Sequence, residues 1–381
     1  TFTKPDTILN HVKNQINAII DSCVKGTSLP KYGGGDWNDT LQPKNKELTE
    51  TMVSTWTISL IYQAFNNFNK SINKIDPSLS NVISKFLADL KNDYQKYVMI
   101  DNKPAGFIIF NDGKPSPLLH PSDKKTGISY RLLSYQRPII AELITLKQAK
   151  LNYEMMLKHL RFPDGMRLMD TPVTYKGGLK TLFQRAETAS NFGREVGILY
   201  THAHIRHLES LTKLGASKEL LYEFQQINPI GINDFVKISN LRQSNVYFTS
   251  SDADFYDRYE AKEKFELLRE GKVKAKVGWR LYSSGPGIYI NQLISNYFGI
   301  KQINQMLYLD PTHDLDQLEI EFKYQNKNIL VKYYFNSEND YLVINGEKSN
   351  LSRCDEYYRK GGYLIDNALL KDSNIIELHY K

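Results

Sequence analysis

The spacing of apolar residues changes near Gln305, and this change constrains the fold more than any other feature of the chain. Before it, apolar residues recur every three or four positions, as over residues 5–24, which is the spacing of an amphipathic helix. After it, apolar and polar residues alternate in short runs such as LEIEFKYQ and NILVKYYF, which is typical of half-buried strands. The sequence therefore predicts a mainly α region over 1–304 and an all-β domain over 305–381, folded as a β-sandwich.

Long loops separate the predicted helices. Helical spacing recurs over residues 5–24, 46–74, 78–100, 128–160, 184–214, 216–226, 257–270 and 287–298. The long loops cover residues 26–45, 101–127, 161–183, 227–256 and 271–286. Loops of such length are uncommon in compact domains unless they carry function. We therefore expect helical hairpins arranged around a centre, with functional loops at one end.

The charge of the chain bears on its partners. The 381 residues carry a formal net charge of +7, with a pI near 9.0. The lysines are scattered along the sequence and form no single basic run, so we expect no nucleic-acid partner. A positive field would instead favour a small anionic substrate such as phosphate.

Cysteine usage and hydropathy indicate a compartment. Cys23 and Cys354 stand far apart, which is typical of reduced thiols in a cytoplasmic protein. Neither has a second cysteine or a histidine at metal-ligand spacing, so we expect no metal and no other cofactor. No apolar run approaches the roughly 20 residues that a membrane-spanning helix needs, so we expect no membrane partner.

The run KYGGGDWNDTLQPK, residues 31–44, suits neither a helix nor a strand. Its glycines do not form a phosphate-binding P-loop, because no Lys followed by Ser or Thr comes at the required spacing. A calcium loop is also disfavoured, because Leu41 stands where the sharp turn needs glycine. A carbohydrate site remains: Trp37 offers a flat apolar face, while Asp36 and Asp39 offer hydrogen bonding or proton transfer. The alternative is that the aspartates cap helices and the tryptophan fills a gap in the core.

Two further segments carry polar groups suited to an anion. His202, His204 and His207 lie in one predicted helix but lack the His-Glu-x-x-His pattern, so zinc is not expected. A histidine near the start of that helix could donate a hydrogen bond to an anion, or could be structural. Ser284 and Gly285 precede a predicted helix, where free backbone N–H groups can bind an anion, or where serine simply caps the helix.

Together these segments resemble the inverting glycoside phosphorylases of glycoside hydrolase family ninety-four. GGGDWND is similar to the catalytic loop of that family, and GWRLYSSGPGIY is similar to its phosphate loop. RLMDTPVTYKGG, YTHAHIRHLESLTKLG and RQSNVYFTSSDADFYDRYEA are similar to later segments of its catalytic domain. The resemblance runs in order over about residues 29–300, and it is greatest to the 1,2-β-oligoglucan phosphorylase group.

The resemblance implies roles for individual residues. Asp39 would be the general acid, and Trp37 with Asp36 would bind the glucosyl unit. His202, Ser284 and Gly285 would form the phosphate site. The sequence departs from the family pattern at Thr40, where glycine is common, and at Ser284, where cellobiose phosphorylase has threonine.

The resemblance also implies a reaction and an architecture. The expected activity is reversible phosphorolysis of β-linked gluco-oligosaccharides, foremost β-1,2-linked ones, to α-glucose 1-phosphate, with inorganic phosphate as co-substrate. The expected fold is the later helices of an (α/α)6 barrel followed by a jelly-roll-like β-sandwich. The chain would be the C-terminal portion of a larger enzyme, with the missing N-terminal portion and a second copy in a homodimer as candidate partners.

Two other functions remain open from the sequence. An inverting β-glucan hydrolase or transglycosylase on the same scaffold would use Asp252 or Asp254 as general base. A non-catalytic carbohydrate-binding fragment would use Trp37 to bind glycans without turnover. Dependence of turnover on phosphate separates phosphorolysis from hydrolysis, and binding without turnover would indicate the fragment.

Overall fold

The computed structural model describes residues 6–188, 197–228, 230–239, 250–277, 284–313 and 315–381. The chain divides into two compact units, each discontinuous in sequence. Unit 1 comprises residues 1–206 and 229–281, and unit 2 comprises residues 207–228 and 282–381. The sequence-based division between 304 and 305 rests on the type of secondary structure, and it stays a prediction.

Eleven α-helices lie in the described part of the chain. They are α1 (Ile8–Asp21), α2 (Lys46–Thr51), α3 (Thr55–Ile72), α4 (Pro77–Asp93), α5 (Leu132–Ile140), α6 (Leu146–His159), α7 (Thr201–Leu214), α8 (Ser217–Gln226), α9 (Ile232–Phe235), α10 (Arg258–Arg269) and α11 (Ser284–Gln292). Single π-turns at Tyr94–Val98 and Leu293–Tyr297 extend α4 and α11, and 3₁₀ turns lie at Asp39–Leu41 and Asn367–Leu369. Among these helices, none is both long and apolar enough to cross a membrane.

The same part of the chain forms eighteen short strands. They are β1 (Met52–Ser54), β2 (Met99–Ile100), β3 (Lys103–Pro104), β4 (Phe107–Asn111), β5 (Lys114–Leu118), β6 (Arg161–Phe162), β7 (Gly165–Met166), β8 (Leu199–Tyr200), β9 (Ser250–Ala253), β10 (Ala275–Val277), β11 (Ile300–Ile303), β12 (Met306–Leu309), β13 (Gln317–Tyr324), β14 (Lys327–Tyr334), β15 (Tyr341–Ile344), β16 (Glu347–Lys348), β17 (Tyr363–Ile365) and β18 (Ser373–His379).

Local sequence explains where the helices of unit 1 begin. The Thr145 side chain accepts a hydrogen bond from the Gln148 amide at the start of α6, and the Gln148 side chain completes a capping box. Helix α4 begins with Pro77 at its first position, after Asp76, whose side chain accepts from the Leu79 amide. Helix α5 is buried along its whole length and contacts α3 and α6. The (α/α)6 barrel itself stays a prediction.

Several sequence-based assignments in unit 1 are wrong, and three of them bear on the region described below. The continuous helix predicted over 46–74 is interrupted by β1, which is buried and pairs antiparallel with β4. The loop predicted over 101–127 instead contains the hairpin of β4 and β5. Of the helix predicted over 184–214, the described residues 184–188 and 197–200 are not helical, whereas residues 201–214 form α7. In the first and third cases pairing with a distant segment overrides local helical spacing, since β1 pairs with β4 and Ala186 bonds to Thr40.

Unit 2 contains the predicted strands, and those assignments are confirmed. One sheet has the order β13-β14-β18-β15-β16, with β14 and β18 parallel, and a second has the order β11-β12-β17. Residues of both sheets share one apolar core, including Leu307, Ile329 and Leu378. Gly362 is required next to the start of β17, where the chain passes close to the end of the neighbouring strand β12, because a Cβ there would lie 1.8 Å from the Leu309 carbonyl oxygen. The jelly-roll topology stays a prediction.

Candidate active site

The glycine-rich run folds as a loop whose two halves are held by different segments of unit 1. Near its start the Tyr32 amide donates to the Met52 carbonyl at 2.6 Å, and Gly33 takes a positive φ of 54°. Its second half pairs with residues 182–186, because the Ala186 amide donates to the Thr40 carbonyl at 3.0 Å. The middle of the loop, residues 34–39, therefore projects between two fixed ends.

Asp36 turns inward from this loop, and its side chain is fully buried. One carboxylate oxygen accepts from the Arg131 guanidinium at 2.6 Å and from the Asn38 amide at 2.9 Å. The other oxygen accepts a hydrogen bond from the Ser54 hydroxyl. The carboxylate thus connects the loop to the start of α5 and to the end of β1.

Arg131, at the start of α5, is as deeply buried as Asp36. Its guanidinium lies over the Phe107 ring, with 4.6 Å between the guanidinium carbon and the ring centroid. Its Nε and Nη1 atoms make no hydrogen bond to any residue that the structure describes. The Asp36 carboxylate is therefore the charge that compensates this buried cation.

Trp37, the next residue of the loop, is half-buried against the junction of β8 and α7. Its ring meets the Tyr200 ring edge to face, with centroids 5.0 Å apart and planes at 80°. It meets the His202 imidazole in the same way, at 5.8 Å and 79°. The structure therefore brings together two residues, Trp37 and His202, that the sequence assigned to the sugar and phosphate sites.

Asp39 is exposed, while its neighbours Asn38 and Thr40 are buried. The Thr40 hydroxyl donates to the Asn38 side-chain carbonyl at 2.6 Å, which closes the turn beneath Asp39. The Asp39 carboxylate makes no hydrogen bond or ion pair within the described ranges. The loop thus presents this carboxylate outward from a fixed turn, which leaves it free to exchange a proton with a bound molecule.

His202 is the partly exposed member of the three histidines of α7, since His204 and His207 are fully buried. Burial, together with the nearby Arg206 charge, lowers the pKa of the His202 imidazole below 6.5. His202 is therefore neutral near pH 7, with one N–H donor and one acceptor. His204 is structural, because its Nδ1 accepts from the Met166 amide at 3.0 Å.

Glu187 and Arg258 support the segment that pairs with the loop. The Glu187 carboxylate accepts from the backbone amides of Thr181, Leu182 and Phe183 at 2.7, 2.8 and 3.0 Å. Burial opposes ionisation of Glu187, but these bonds and that of the Thr181 hydroxyl lower its pKa overall. The buried Arg258 guanidinium donates to the Ala186 carbonyl at 2.8 Å, and burial lowers its pKa to about 10.

The remaining predicted site residues lie elsewhere in the chain. Ser284 and Gly285 form the first turn of α11 in unit 2, and Gly285 is buried. A helix N-terminus of this kind presents free backbone N–H groups to an anion. Asp252 lies in β9, and Asp254 follows it as an exposed residue. In the described ranges, no group of three or more His, Cys, Asp and Glu side chains is arranged to hold a metal ion.

Three residues around the loop were missed by sequence reasoning. Arg131, Ser54 and Tyr200 contact Asp36 or Trp37, yet each is far from the loop in sequence. A signal existed for Arg131, because a charged residue directly before the apolar pair Leu132 and Leu133 must be paired if that segment is buried. No comparable signal marked Ser54 or Tyr200.

Comparison with known families identifies the family of the chain. The model of the Glycosyl hydrolase 94 superfamily, catalytic domain, matches residues 2–253, which is more than half of the chain. The chain belongs to the Glycosyl hydrolase 94 superfamily. The family resemblance predicted from its motifs is therefore confirmed.

A relative with a named activity is also similar over nearly the whole chain. The chain is 43% identical over 370 residues to the 1,2-beta-oligoglucan phosphorylase of Listeria innocua serovar 6a (strain ATCC BAA-680 / CLIP 11262). The match covers 96% of this chain but 33% of that relative, so the chain spans about a third of its length. Among solved structures, a UGL variant with dGlcA-Glc-Rha-Glc matches at 8% identity over 73% of this chain and 65% of that chain. Its TM-score of 0.37 is too low to bear on the fold.

Proposed function

We propose that the chain is the part of an inverting glycoside phosphorylase that supplies the general acid and some of the phosphate ligands. The substrates are inorganic phosphate and β-linked gluco-oligosaccharides, foremost β-1,2-linked ones, and the products are α-glucose 1-phosphate and an oligosaccharide shortened by one glucosyl unit. The observation that carries this proposal is the exposed, unpaired Asp39 carboxylate on a loop whose Trp37 contacts His202, in a chain of this superfamily.

The chemistry requires one proton donor and one anion site. A phosphate oxygen attacks the anomeric carbon of the terminal glucosyl unit while the bond from that carbon to the glycosidic oxygen breaks. Asp39 gives its proton to the departing oxygen, and the configuration at carbon inverts from β to α. Phosphate is already a nucleophile, so the carboxylate base that an inverting hydrolase needs for water is not required.

The phosphate ligands in this proposal are His202, Ser284 and Gly285. A neutral His202 can donate one hydrogen bond to a phosphate oxygen, and the lowered pKa of its imidazole supports that neutral form. The first turn of α11 can add backbone N–H donors from the neighbourhood of Ser284 and Gly285. Trp37 then provides an apolar face for the glucosyl ring.

The preference for the β-1,2 linkage is a more specific proposal than phosphorolysis itself. It is supported by the 43% identity to a 1,2-beta-oligoglucan phosphorylase, which covers a third of that relative. The remaining parts of the whole protein could contribute further substrate contacts, so the linkage is tested on the complete gene product that carries this chain.

The test is turnover of a β-1,2-linked glucotriose with and without inorganic phosphate, with α-glucose 1-phosphate measured by a coupled enzyme. Phosphate-dependent formation of that product is the expected result. Free glucose formed without phosphate would overturn the proposal in favour of hydrolysis, with Asp252 and Asp254 as the first candidates for the base. Binding without any turnover would indicate a carbohydrate-binding role instead.

A further inference from the structure

The position of the catalytic loop depends on few contacts outside its ends. Gly34 and Gly35 are exposed, and a Cβ at either position would meet no atom within 4 Å. Glycine has more backbone freedom than any other residue, so this segment alone cannot fix the side chains that follow it. The fixed turn beneath Asp39 must therefore be held by something else.

The contacts of Asp36 supply that restraint. Its carboxylate accepts from the Asn38 amide two residues on, which closes an Asx-type turn. The same carboxylate is held from outside the loop by Arg131 and by Ser54. Because the Asp36 side chain is fully buried and carries these bonds, it is poorly disposed to contact a sugar hydroxyl.

We infer that Arg131 is a positioning residue: through its buried ion pair with Asp36 it sets the place of Trp37 and Asp39, and Asp36 is an anchor instead of a sugar ligand. This inference rests on the proposed function for the role of Asp39. Effective general acid catalysis needs the proton donor in a productive geometry, and a displacement of about 1 Å can cost on the order of 10²-fold in rate. The ion pair joins α5 to the loop one residue before Trp37 and three before Asp39.

The two assignments of Asp36 predict different kinetics. If Asp36 is an anchor, weakening the ion pair lowers kcat while KM for the oligosaccharide stays nearly constant, because the proton donor is displaced but sugar contacts elsewhere remain. If Asp36 is a sugar ligand, its loss raises KM, and changing Arg131 does so only indirectly. The split between kcat and KM therefore distinguishes the two roles.

The test compares Arg131→Met, Arg131→Lys and Asp36→Asn in the complete gene product, with rates divided by the folded fraction from circular dichroism. We expect Arg131→Met and Asp36→Asn each to lower kcat by about 10- to 100-fold with KM within about twofold. Arg131→Lys, which keeps the charge, should recover part of the loss. The double variant Arg131→Met/Asp36→Asn should lose no more than the stronger single variant, because both act through one contact.

A matched control is the Arg359–Asp310 ion pair of unit 2, which is also largely buried and has a bidentate geometry with bonds of 2.9 and 2.7 Å. Arg359→Met should destabilise the protein yet leave kcat per folded molecule unchanged. An equal fall of kcat in this control would mean that loss of stability alone explains the effect. Unchanged kcat in Arg131→Met, or a rise of KM in Asp36→Asn without a fall of kcat, would overturn the inference.

A second readout does not depend on turnover. In the complete gene product, with Trp56, Trp279 and every other tryptophan except Trp37 changed to phenylalanine, the fluorescence anisotropy of Trp37 reports the mobility of the loop. Arg131→Met should lower that anisotropy, while Arg359→Met should not. Unchanged anisotropy in Arg131→Met would reject the anchor even if no substrate is turned over. If Arg131→Met lowers the anisotropy but the unmodified protein shows no phosphate-dependent turnover, the proposed function is rejected and the anchor role of Asp36 is kept.

Discussion

The Trp37 ring meets the His202 imidazole edge to face, with centroids 5.8 Å apart, although the two residues belong to separate segments of the chain. Trp37 comes from the glycine-rich loop, and His202 comes from the first turn of α7. Edge-to-face contact places the positive rim of one ring against the negative face of the other, which favours this fixed arrangement. A sugar on Trp37 and an anion on His202 would therefore be neighbours, as phosphorolysis requires.

Asp39→Asn removes the proton donor of the proposed reaction. We expect kcat to fall by about 10²- to 10⁴-fold, the usual contribution of a general acid. Stability should not change, because the side chain is exposed and unpaired in the described structure. Asp112→Asn, at an exposed hairpin position, is the control and should keep full activity. Equal turnover by the two variants would contradict the role of Asp39.

Trp37→Ala removes the apolar face proposed for the glucosyl ring. Stacking on an aromatic face contributes to binding in the ground state and the transition state alike, so KM should rise more than kcat falls. Trp37→Phe keeps a flat ring, so its KM should lie between those of the unmodified protein and Trp37→Ala. Steady-state kinetics over a range of β-1,2-linked oligosaccharide concentrations checks this order, and an unchanged KM in Trp37→Ala would place the sugar elsewhere.

His202 should make the protein less stable in acid. Its pKa in the folded state is lowered by burial, so below pH 6.5 the unfolded chain binds a proton that the folded chain resists. Above pH 7, protonation of His202 does not affect the free energy of unfolding. As the pH falls from about 6.5 through the folded-state pKa of His202, it lowers that free energy. His202→Gln should therefore lose less stability than the unmodified protein between pH 7.5 and 5.5, measured by urea unfolding. An equal fall in the free energy of unfolding for both proteins would show that the pKa of His202 is not lowered by folding.

Cys23 should react slowly with alkylating reagents in the folded protein. Burial, followed by the charges of Asp93 and Asp21, raises the pKa of its thiol to about 11. Burial also raises the pKa of Cys354. Since the thiolate is the reactive form, iodoacetamide labelling of Cys23 at pH 8 should be about a hundredfold slower than in urea. Mass spectrometry of the labelled peptide gives both rates, and rapid labelling before unfolding would disprove the burial effect.

Gly362→Ala and Gly34→Ala form a matched pair for stability. A methyl group at position 362 would overlap the Leu309 backbone, so we expect a loss of at least about 1–3 kcal/mol in the free energy of unfolding. The same change at Gly34 meets no atom within 4 Å and should be neutral or slightly stabilising. Urea unfolding measures both. A comparable loss at the two positions would indicate that the loop is packed more tightly than its contacts imply.

Contiguous patterns were predictable, and distant pairing was not. GGGDWND identified the loop of Asp39, and alternation identified β13, β14, β15 and β18, because in both cases the information lies within about ten residues. The contact of Asp36 with Arg131 spans 95 positions, and nothing in the loop specifies it. Strand β1 was hidden because three residues inside a helical spacing carry too little pattern to show that they pair with β4.

One missed element did have a signal. Asp112 and Gly113 form a two-residue turn between the runs that pair as β4 and β5, and Asp-Gly at such a position is typical of a hairpin. The runs FIIF and KPSPLL lack strict alternation, because β4 is buried on both faces. The turn residues are therefore the stronger hairpin signal in this segment, although strict alternation is missing from the flanking runs.

The interleaving of the two units along the chain fixes an order of events during synthesis. Unit 1 needs residues 229–281 in addition to residues 1–206, so it cannot be completed before the ribosome has translated at least 281 residues. Residues 207–228 emerge earlier but belong with residues 282–381, and they must wait for those later partners. Apolar surface is therefore exposed on the nascent chain for longer than in a protein whose units are continuous, which makes this stretch a candidate for chaperone binding during translation.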